Sequence, residues 1–287
     1  MKWLIVICII LQFCGCASAG YYTKEYPQNI NLKYPVILVH GIIAHDRGGI
    51  IDFWGRIPET LEKNGIEVFF GNTDAWGSYE SNAEILKDTV DRVLLETSSD
   101  KVNIIAHSKG GLDSRYFIWK YDYGGKVASL TTISTPHHGA ELADLVFQQR
   151  IVHTNMTRRA LDVFGKFYGD INPDIYNVNY QLTTENMMEF NDIVEIDERV
   201  FYQSIYAAKK NQFNDLLFFF SYLYLNRVAG DNDGVVSEVS ARWSSNITRI
   251  DGLSHRDIID YKKVNKSEIF IPDIYLNIAR DLSNRGY

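Results

Sequence analysis

The residues in this chain best suited to covalent chemistry gather around Ser108. Ala106-His107-Ser108-Lys109-Gly110 sets a serine between two small residues, two positions away on either side. A serine hydroxyl is a weak nucleophile and needs a neighbouring base, itself oriented by a third group. The histidines that follow it are His137, His138, His153 and His255. His255 lies near the C-terminus, past the last short apolar run, as a loop-borne general base should. Gly230-Asp231-Asn232-Asp233-Gly234 supplies the acid, and either Asp231 or Asp233 serves by position. The same string is strongly turn-forming, which is compatible with an acid carried on a turn. Serine, then acid, then histidine is the chain order of triads built on a strand-turn-helix nucleophile. The chemistry is acyl transfer: His255 takes the Ser108 proton, Ser108 attacks a carbonyl, and the acid fixes the imidazole tautomer.

A negative oxygen formed in that attack needs donors. His40-Gly41-Ile42 follows the first strong apolar run, and the glycine lets the backbone turn so that the next amide faces the site. The backbone N–H groups of Ile42 and Lys109 are the expected oxyanion hole; such a donor is worth on the order of 3 kcal/mol in the transition state. Lys109 also opens a helix, whose positive end favours the charge. His40 is expected to hold this loop by hydrogen bonding, and His107 to pack or orient locally. His137 and His138, after Pro136, are expected to shape the pocket wall.

These residues require a particular scaffold. Between positions 34 and 135, strand-like apolar runs alternate with amphipathic helical ones, the pattern of a mostly parallel sheet with crossover helices on both faces. Pro35–Val39, Ile66–Phe70, Val102–Ala106 and Ala128–Ser134 read as strands. Ile57–Asn64, Ala83–Glu96 and Gly111–Trp119 read as helices. Ser108 thus falls between a buried strand and a helix, where a tight turn lifts its Oγ above the sheet and demands small residues beside it. From about 141 to 220 the pattern loosens into helical pieces and polar turns, as in a helical cap or lid insertion. Leu142, Leu145, Val146, Phe147 and Ile151 form one apolar face within it. Strands at Tyr222–Val228 and Ile247–Ile250 and a helix at Pro272–Leu282 complete the reading, a single domain over 20–287.

The chain has 287 residues, 46% hydrophobic and 23% charged, enough for one large core. Its formal net charge of −7 argues against a nucleic-acid partner. Lys2, the apolar run Trp3–Phe13 and the small residues Gly15, Ala17, Ser18 and Ala19 describe an export signal over 1–19, with cleavage after Ala19. Cys8, Cys14 and Cys16 all fall inside it, so the exported domain carries no disulfide. Gly15-Cys16 also resembles the end of a lipoprotein signal, in which Cys16 is the anchor. The expected location is secreted, periplasmic or membrane-anchored. Oligomeric state is not encoded in any of these features.

With these residues in view, the chain resembles the bacterial triacylglycerol lipases, true lipases of the α/β-hydrolase fold. Tyr34 to Ile42 is similar to that family's opening strand and oxyanion loop, and Phe53-Trp54-Gly55-Arg56-Ile57-Pro58 to its next landmark. Val102 to Gly111 matches the nucleophile turn, with Arg115-Tyr116 following, and Ser134-Thr135-Pro136-His137-His138-Gly139 resembles the Pro-His-x-Gly turn. Leu182-Thr183-Thr184 and Phe190-Asn191 are a weaker match in the cap region. The resemblance selects Asp233, through Asn232-Asp233-Gly234-Val235-Val236, and His255, through His255-Arg256-Asp257. It implies a carboxylic-ester hydrolase acting on lipid or ester substrate at an interface, a triacylglycerol lipase or a related phospholipase, thioesterase or acyltransferase. An inactive binding protein on this fold would not be expected to keep all these groups. No cofactor is required for the chemistry. The resemblance also implies a structural calcium near the base, with Asp257 as one carboxylate ligand and Asp215 as the second by position. Tyr261 stands where an amide side chain is expected, and Asn265 would offer a backbone carbonyl. Without calcium, Asp257 is expected to cap a helix after His255.

Overall fold

The computed structural model describes residues 29–42, 46, 52–149, 166, 170–263 and 269–287. The export segment 1–19 with Cys16, and also Ile151, His153 and Asn265, lie outside them. Six strands form one sheet: β1 (Val36–Val39), β2 (Val68–Phe70), β3 (Val102–His107), β4 (Val127–Ile133), β5 (Phe201–Ala208) and β6 (Asn246–Asp251). Their order is β2-β1-β3-β4-β5-β6, and every pair is parallel.

Strand periodicity divides the core in two. Val36, Leu38, Ile105, Ile133 and Ile205 point to one face and pack against α1 (Ile57–Lys63) and α9 (Ile271–Asn284). Ile37, Val39, Ile104, Ala106 and Leu130 point to the other, against α2 (Tyr79–Thr97) and α3 (Lys109–Tyr121). Alternate residues of a strand face opposite sides, so a strand buried on both must be apolar throughout, as Val-Ile-Leu-Val of β1 is. Helix α2 begins where the Ser78 hydroxyl accepts the Ser81 amide, and buries Ala83, Leu86, Val90 and Val93 at helical spacing.

Between β4 and β5 come α4 (Glu141–Phe147), α5 (Ile175–Gln181) and α6 (Thr184–Ile193). The expected insertion, 141–220, therefore runs too far, because β5 belongs to the central sheet. Its middle is polar in sequence, yet Gln203 Nε2 donates to Thr131 Oγ1 (2.8 Å) on β4, and the Thr132 hydroxyl donates to Ser204 Oγ (3.3 Å). Cross-strand hydrogen bonds thus make buried polar side chains tolerable where an apolar run was sought. The strand expected at Tyr222–Val228 is instead helical: α7 spans Phe219–Val228, entered through a short 3₁₀ turn at Leu216–Phe218. α8 (Glu238–Ala241) precedes β6. Among the described residues no helix is long and apolar enough to cross a membrane. Since all strands run the same way, the loops after β1, β3, β4, β5 and β6 leave from one edge of the sheet, where open α/β sheets build their sites.

Candidate active site

Strand β3 ends at His107 and α3 starts at Lys109, so the whole reversal falls on Ser108. Its backbone sits at φ 54, ψ −130, a conformation that costs a non-glycine residue energy and is held here by its surroundings. The Ser108 amide donates to the Ile133 carbonyl at 2.9 Å, tying the turn to β4. Two glycines permit the close approach. A Cβ on Gly41 would lie 2.7 Å from the Ser108 Cβ, and one on Gly110 would lie 2.3 Å from the His40 carbonyl oxygen. It is the oxyanion-loop backbone, more than a neighbouring side chain, that demands glycine at 110.

Ser108, His255 and Asp233 meet. His255 Nε2 lies 3.0 Å from Ser108 Oγ, and His255 Nδ1 lies 2.7 Å from Asp233 Oδ2. The other carboxylate oxygen of Asp233 accepts the Val235 and Val236 amides at 2.9 and 2.8 Å. With the carboxylate as acceptor, Nδ1 carries the hydrogen and Nε2 presents its lone pair to the hydroxyl, the tautomer a general base needs. The His255 amide also donates to the Asp233 carbonyl at 3.0 Å, so backbone and side chain hold the pair together. Asp231 turns away, to Arg249 on the surface.

Ile42 lines the same cavity as Ser108 and His255, and Lys109, as first residue of α3, has an amide with no acceptor inside its helix. His40 braces this loop: its Nδ1 lies 2.6 Å from the Gly41 carbonyl oxygen and its Nε2 2.9 Å from that of Thr73. His107 works from behind, with Nε2 3.0 Å from the His255 carbonyl oxygen and the two rings 4.4 Å apart. Burial, and then the neighbouring His255, push the His107 pKa well below 6.5, so the ring is a neutral donor to that carbonyl.

His137 and His138 do not line the cavity. His137 is fully buried, 3.0 Å from Thr132 Oγ1 and stacked on Trp243. Arg115 donates to its Nδ1 at 3.2 Å and to Asn191 at 2.9 Å, with the guanidinium 4.1 Å above the Trp243 ring. Burial drives the Arg115 pKa down to about 9, and burial followed by the Arg115 charge drives that of His137 well below 6.5. These residues fix the loop after β4; they do not meet a ligand in the cavity. His138 bonds to the backbone of Arg242.

The cavity above Ser108 is apolar. Ile42, Phe53, Leu142, Val146, Phe218 and Val235 contribute most of its character. Leu142, Ala143 and Val146 show that α4 forms one wall, while Leu145 is buried and Phe147 packs on Tyr176 and Tyr180.

The loop bearing His255 is tied down at several points. Asp260 receives the Arg56 amide (2.8 Å), Nε (2.7 Å) and Nη2 (2.7 Å), and the Tyr275 hydroxyl donates to the Ile258 carbonyl at 3.1 Å. The Asp257 carboxylate accepts the Ser254 amide at 3.1 Å; residues 255–260 are turns, so it caps no regular helix. The Asp215 carboxylate holds Arg256 Nε (2.7 Å), Arg256 Nη2 (2.6 Å) and the Ser254 hydroxyl (2.9 Å), with Lys262 Nζ at 3.6 Å. Lys209 Nζ donates to the Asp215 backbone carbonyl at 2.9 Å. Burial alone would raise the Asp215 pKa, but the Arg256 hydrogen bonds and charge bring it down to about 2. Calcium takes six to eight oxygens, and a carboxylate already paired with a guanidinium and faced by the Lys262 ammonium is a poor ligand for it. Among the described residues no three His, Cys, Asp or Glu side chains cluster as a metal site. Asp215, as found, does not fit the expected calcium. Arg56 lies in the Phe53–Pro58 landmark and Arg256 between the histidine and aspartate of His255-Arg256-Asp257, but neither motif showed its partner, Asp260 or Asp215.

A family model described as palmitoyl protein thioesterase matches residues 35–246. Triacylglycerol lipase 2 of Saccharomyces cerevisiae is 30% identical over 260 residues, covering 83% of this chain and 75% of that protein. The chain belongs to the lipase and thioesterase branch of the α/β-hydrolases. Within this branch, the triacylglycerol lipase of Pseudarthrobacter phenanthrenivorans is 39% identical over 139 residues, 47% of this chain. The match spans only 42% of that relative's length. Staphylococcus hyicus lipase superposes with a TM-score of 0.69 at 19% identity, covering 91% of this chain and 98% of that one. A metagenomic carboxyl esterase superposes at 0.72 and 16% identity, over 93% and 81%. Both likenesses are of fold: an α/β-hydrolase sheet with its helices.

Proposed function

We propose that this protein is a carboxylic-ester hydrolase, a triacylglycerol lipase that works through an acyl-enzyme on Ser108. The observation that carries this reading is the unbroken chain Asp233–His255–Ser108 at the floor of an apolar cavity. The ester's acyl chain lies against α4 and Phe218, and its carbonyl oxygen faces the Ile42 and Lys109 amides. His255 Nε2 accepts the Ser108 proton as Oγ bonds to the carbonyl carbon, and the oxyanion is held by the two amides. Collapse breaks the C–O bond, and His255 returns the proton to the leaving alcohol. Water, deprotonated by His255, then releases the fatty acid and restores Ser108. Every step is served by side chains and amides of this chain.

The same sequence of bonds cleaves a thioester, with a thiol as leaving group, and the match to the palmitoyl protein thioesterase model supports that second reading. The test is covalent labelling by a fluorophosphonate together with hydrolysis of triolein, tributyrin, phospholipid and palmitoyl thioester. Labelling lost in Ser108→Ala, with triolein or tributyrin turned over fastest, is the expected result. Preference for the thioester moves the assignment within the family, and absence of labelling in the unaltered chain rejects the mechanism. We further propose export directed by residues 1–19, with cleavage after Ala19 or lipidation at Cys16, which intact-mass measurement of the cell-processed protein distinguishes.

A further inference from the structure

Both chain neighbours of the base hang on a single carboxylate. Ser254 reaches Asp215 through its hydroxyl, Arg256 reaches it through two guanidinium nitrogens, and His255 lies between them. We propose that the Arg256 guanidinium is a built-in cation that positions His255, performing for this loop the clamping that a bound divalent ion would otherwise provide. Asp215 and Arg256 are thus positioning residues, acting on Ser108 through the imidazole, with Arg256 also bordering the cavity.

The geometry suits the task. The Asp215 side chain is 1% exposed and that of Arg256 16%, so the pair is shielded from water and salt. Two parallel N–H···O bonds fix the direction of the guanidinium as well as its distance, which a single ammonium could not do. Asp215 sits between β5 and α7, while Arg256 lies in the loop after β6, so the pair binds two separate loops at the mouth of the sheet. From the other flank, Asp257 holds the Ser254 amide. The imidazole has then little freedom to swing away from Ser108 Oγ, 3.0 Å distant. A divalent ion would have to displace these groups from Asp215, because Arg256 and Lys262 already bring positive charge to its carboxylate.

This inference rests on the proposed hydrolytic role of Ser108 only for its kinetic arm; its melting arm stands without it. The full chain is compared with Arg256→Ala and Arg256→Lys for melting temperature with millimolar calcium or excess EGTA, and for hydrolysis of a soluble short-chain p-nitrophenyl ester. The unaltered chain should melt within about 1 °C in both buffers. Arg256→Ala should lose about tenfold or more in kcat while KM stays within about threefold, the mark of a misplaced catalytic group. Guanidinium chloride at millimolar level should restore part of that kcat, and sodium chloride at equal ionic strength should not. Arg256→Lys should fall between, and decides the matter if the alanine variant does not fold. The proposal is overturned by a melting temperature that drops on chelation, by an undiminished kcat in Arg256→Ala, or by a loss that neither lysine nor guanidinium recovers. If the unaltered chain turns over no ester at all, the hydrolytic reading fails, and the melting arm still reports on the clamp.

Discussion

At Ser108 the reactive hydroxyl and the backbone conformation are one feature. A positive φ on a β-substituted residue persists only where neighbours enforce it, and Gly41, Gly110 and the Ile133 carbonyl do so here. Gly41→Ala is the sharpest probe, because the added methyl meets the Ser108 Cβ at 2.7 Å. We expect kcat to fall by on the order of 100-fold, with melting temperature lowered modestly; initial rates and thermal melts on one preparation check both. Asp233→Asn should cost on the order of 10⁴ in kcat, since an amide can offer its own N–H to Nδ1 and favour the wrong tautomer. Ser108 and His255 were legible because local rules mark them, small residues around a turn and a histidine after the last strand; the acidic turn was legible too, but only the family resemblance chose Asp233 over Asp231. Arg256–Asp215 was not legible, being a pair 41 positions apart whose partners only the fold brings together. Asp215 and Asp257 were read as calcium ligands from the family resemblance, and in the structure the Asp215 carboxylate holds the Arg256 guanidinium.

Among the elements, sequence reading succeeded where burial imposes a simple period and failed where it does not. Strands β1 and β3 are buried on both sides and read as apolar runs, and α2 and α9 show helical spacing. β5 was absorbed into the insertion because Gln203 and Ser204 interrupt its apolar pattern. α7 was read as a strand because Tyr222–Val228 is rich in aromatic and branched residues, which favour sheets when nothing else intervenes. Its packing on α4 decided otherwise, an outcome no local propensity encodes. α4 itself offers an element-scale test. Val146 lines the cavity one turn beyond Leu142, so Val146→Trp fills the space an acyl chain would take. The ratio of long-chain to short-chain ester hydrolysis should fall by about tenfold, read from a chain-length series. An unchanged series would place the acyl chain elsewhere.

For the whole molecule, two buried neutral histidines couple stability to pH. His107 and His137 have pKa values pushed well below 6.5 in the fold, chiefly by burial. An unfolded chain protonates both near 6.5, so below that pH it binds more protons than the folded one. Their contribution is therefore complete above about pH 6.5 and is lost as pH falls, by roughly 1.4 kcal/mol per pH unit for each histidine. Urea unfolding between about pH 7 and pH 5.5 measures the slope, which His137→Gln should reduce by about one proton. An identical slope in that variant would contradict the assignment. Glutamine is chosen because it still offers an acceptor to Arg115 and a donor to Thr132.

The contacts of Gly41 and Gly110 reach beyond either residue. Gly110 meets the carbonyl of His40, and Gly41 meets the Ser108 side chain and the His107 carbonyl, so the spacing between Ser108 and the loop after β1 is set largely by backbone. Trimming a side chain cannot slacken such a gauge; only added bulk can jam it. The cavity walls can thus be altered while Ser108 and the loop after β1 keep their separation, so pocket shape and the geometry at Ser108 are open to change independently.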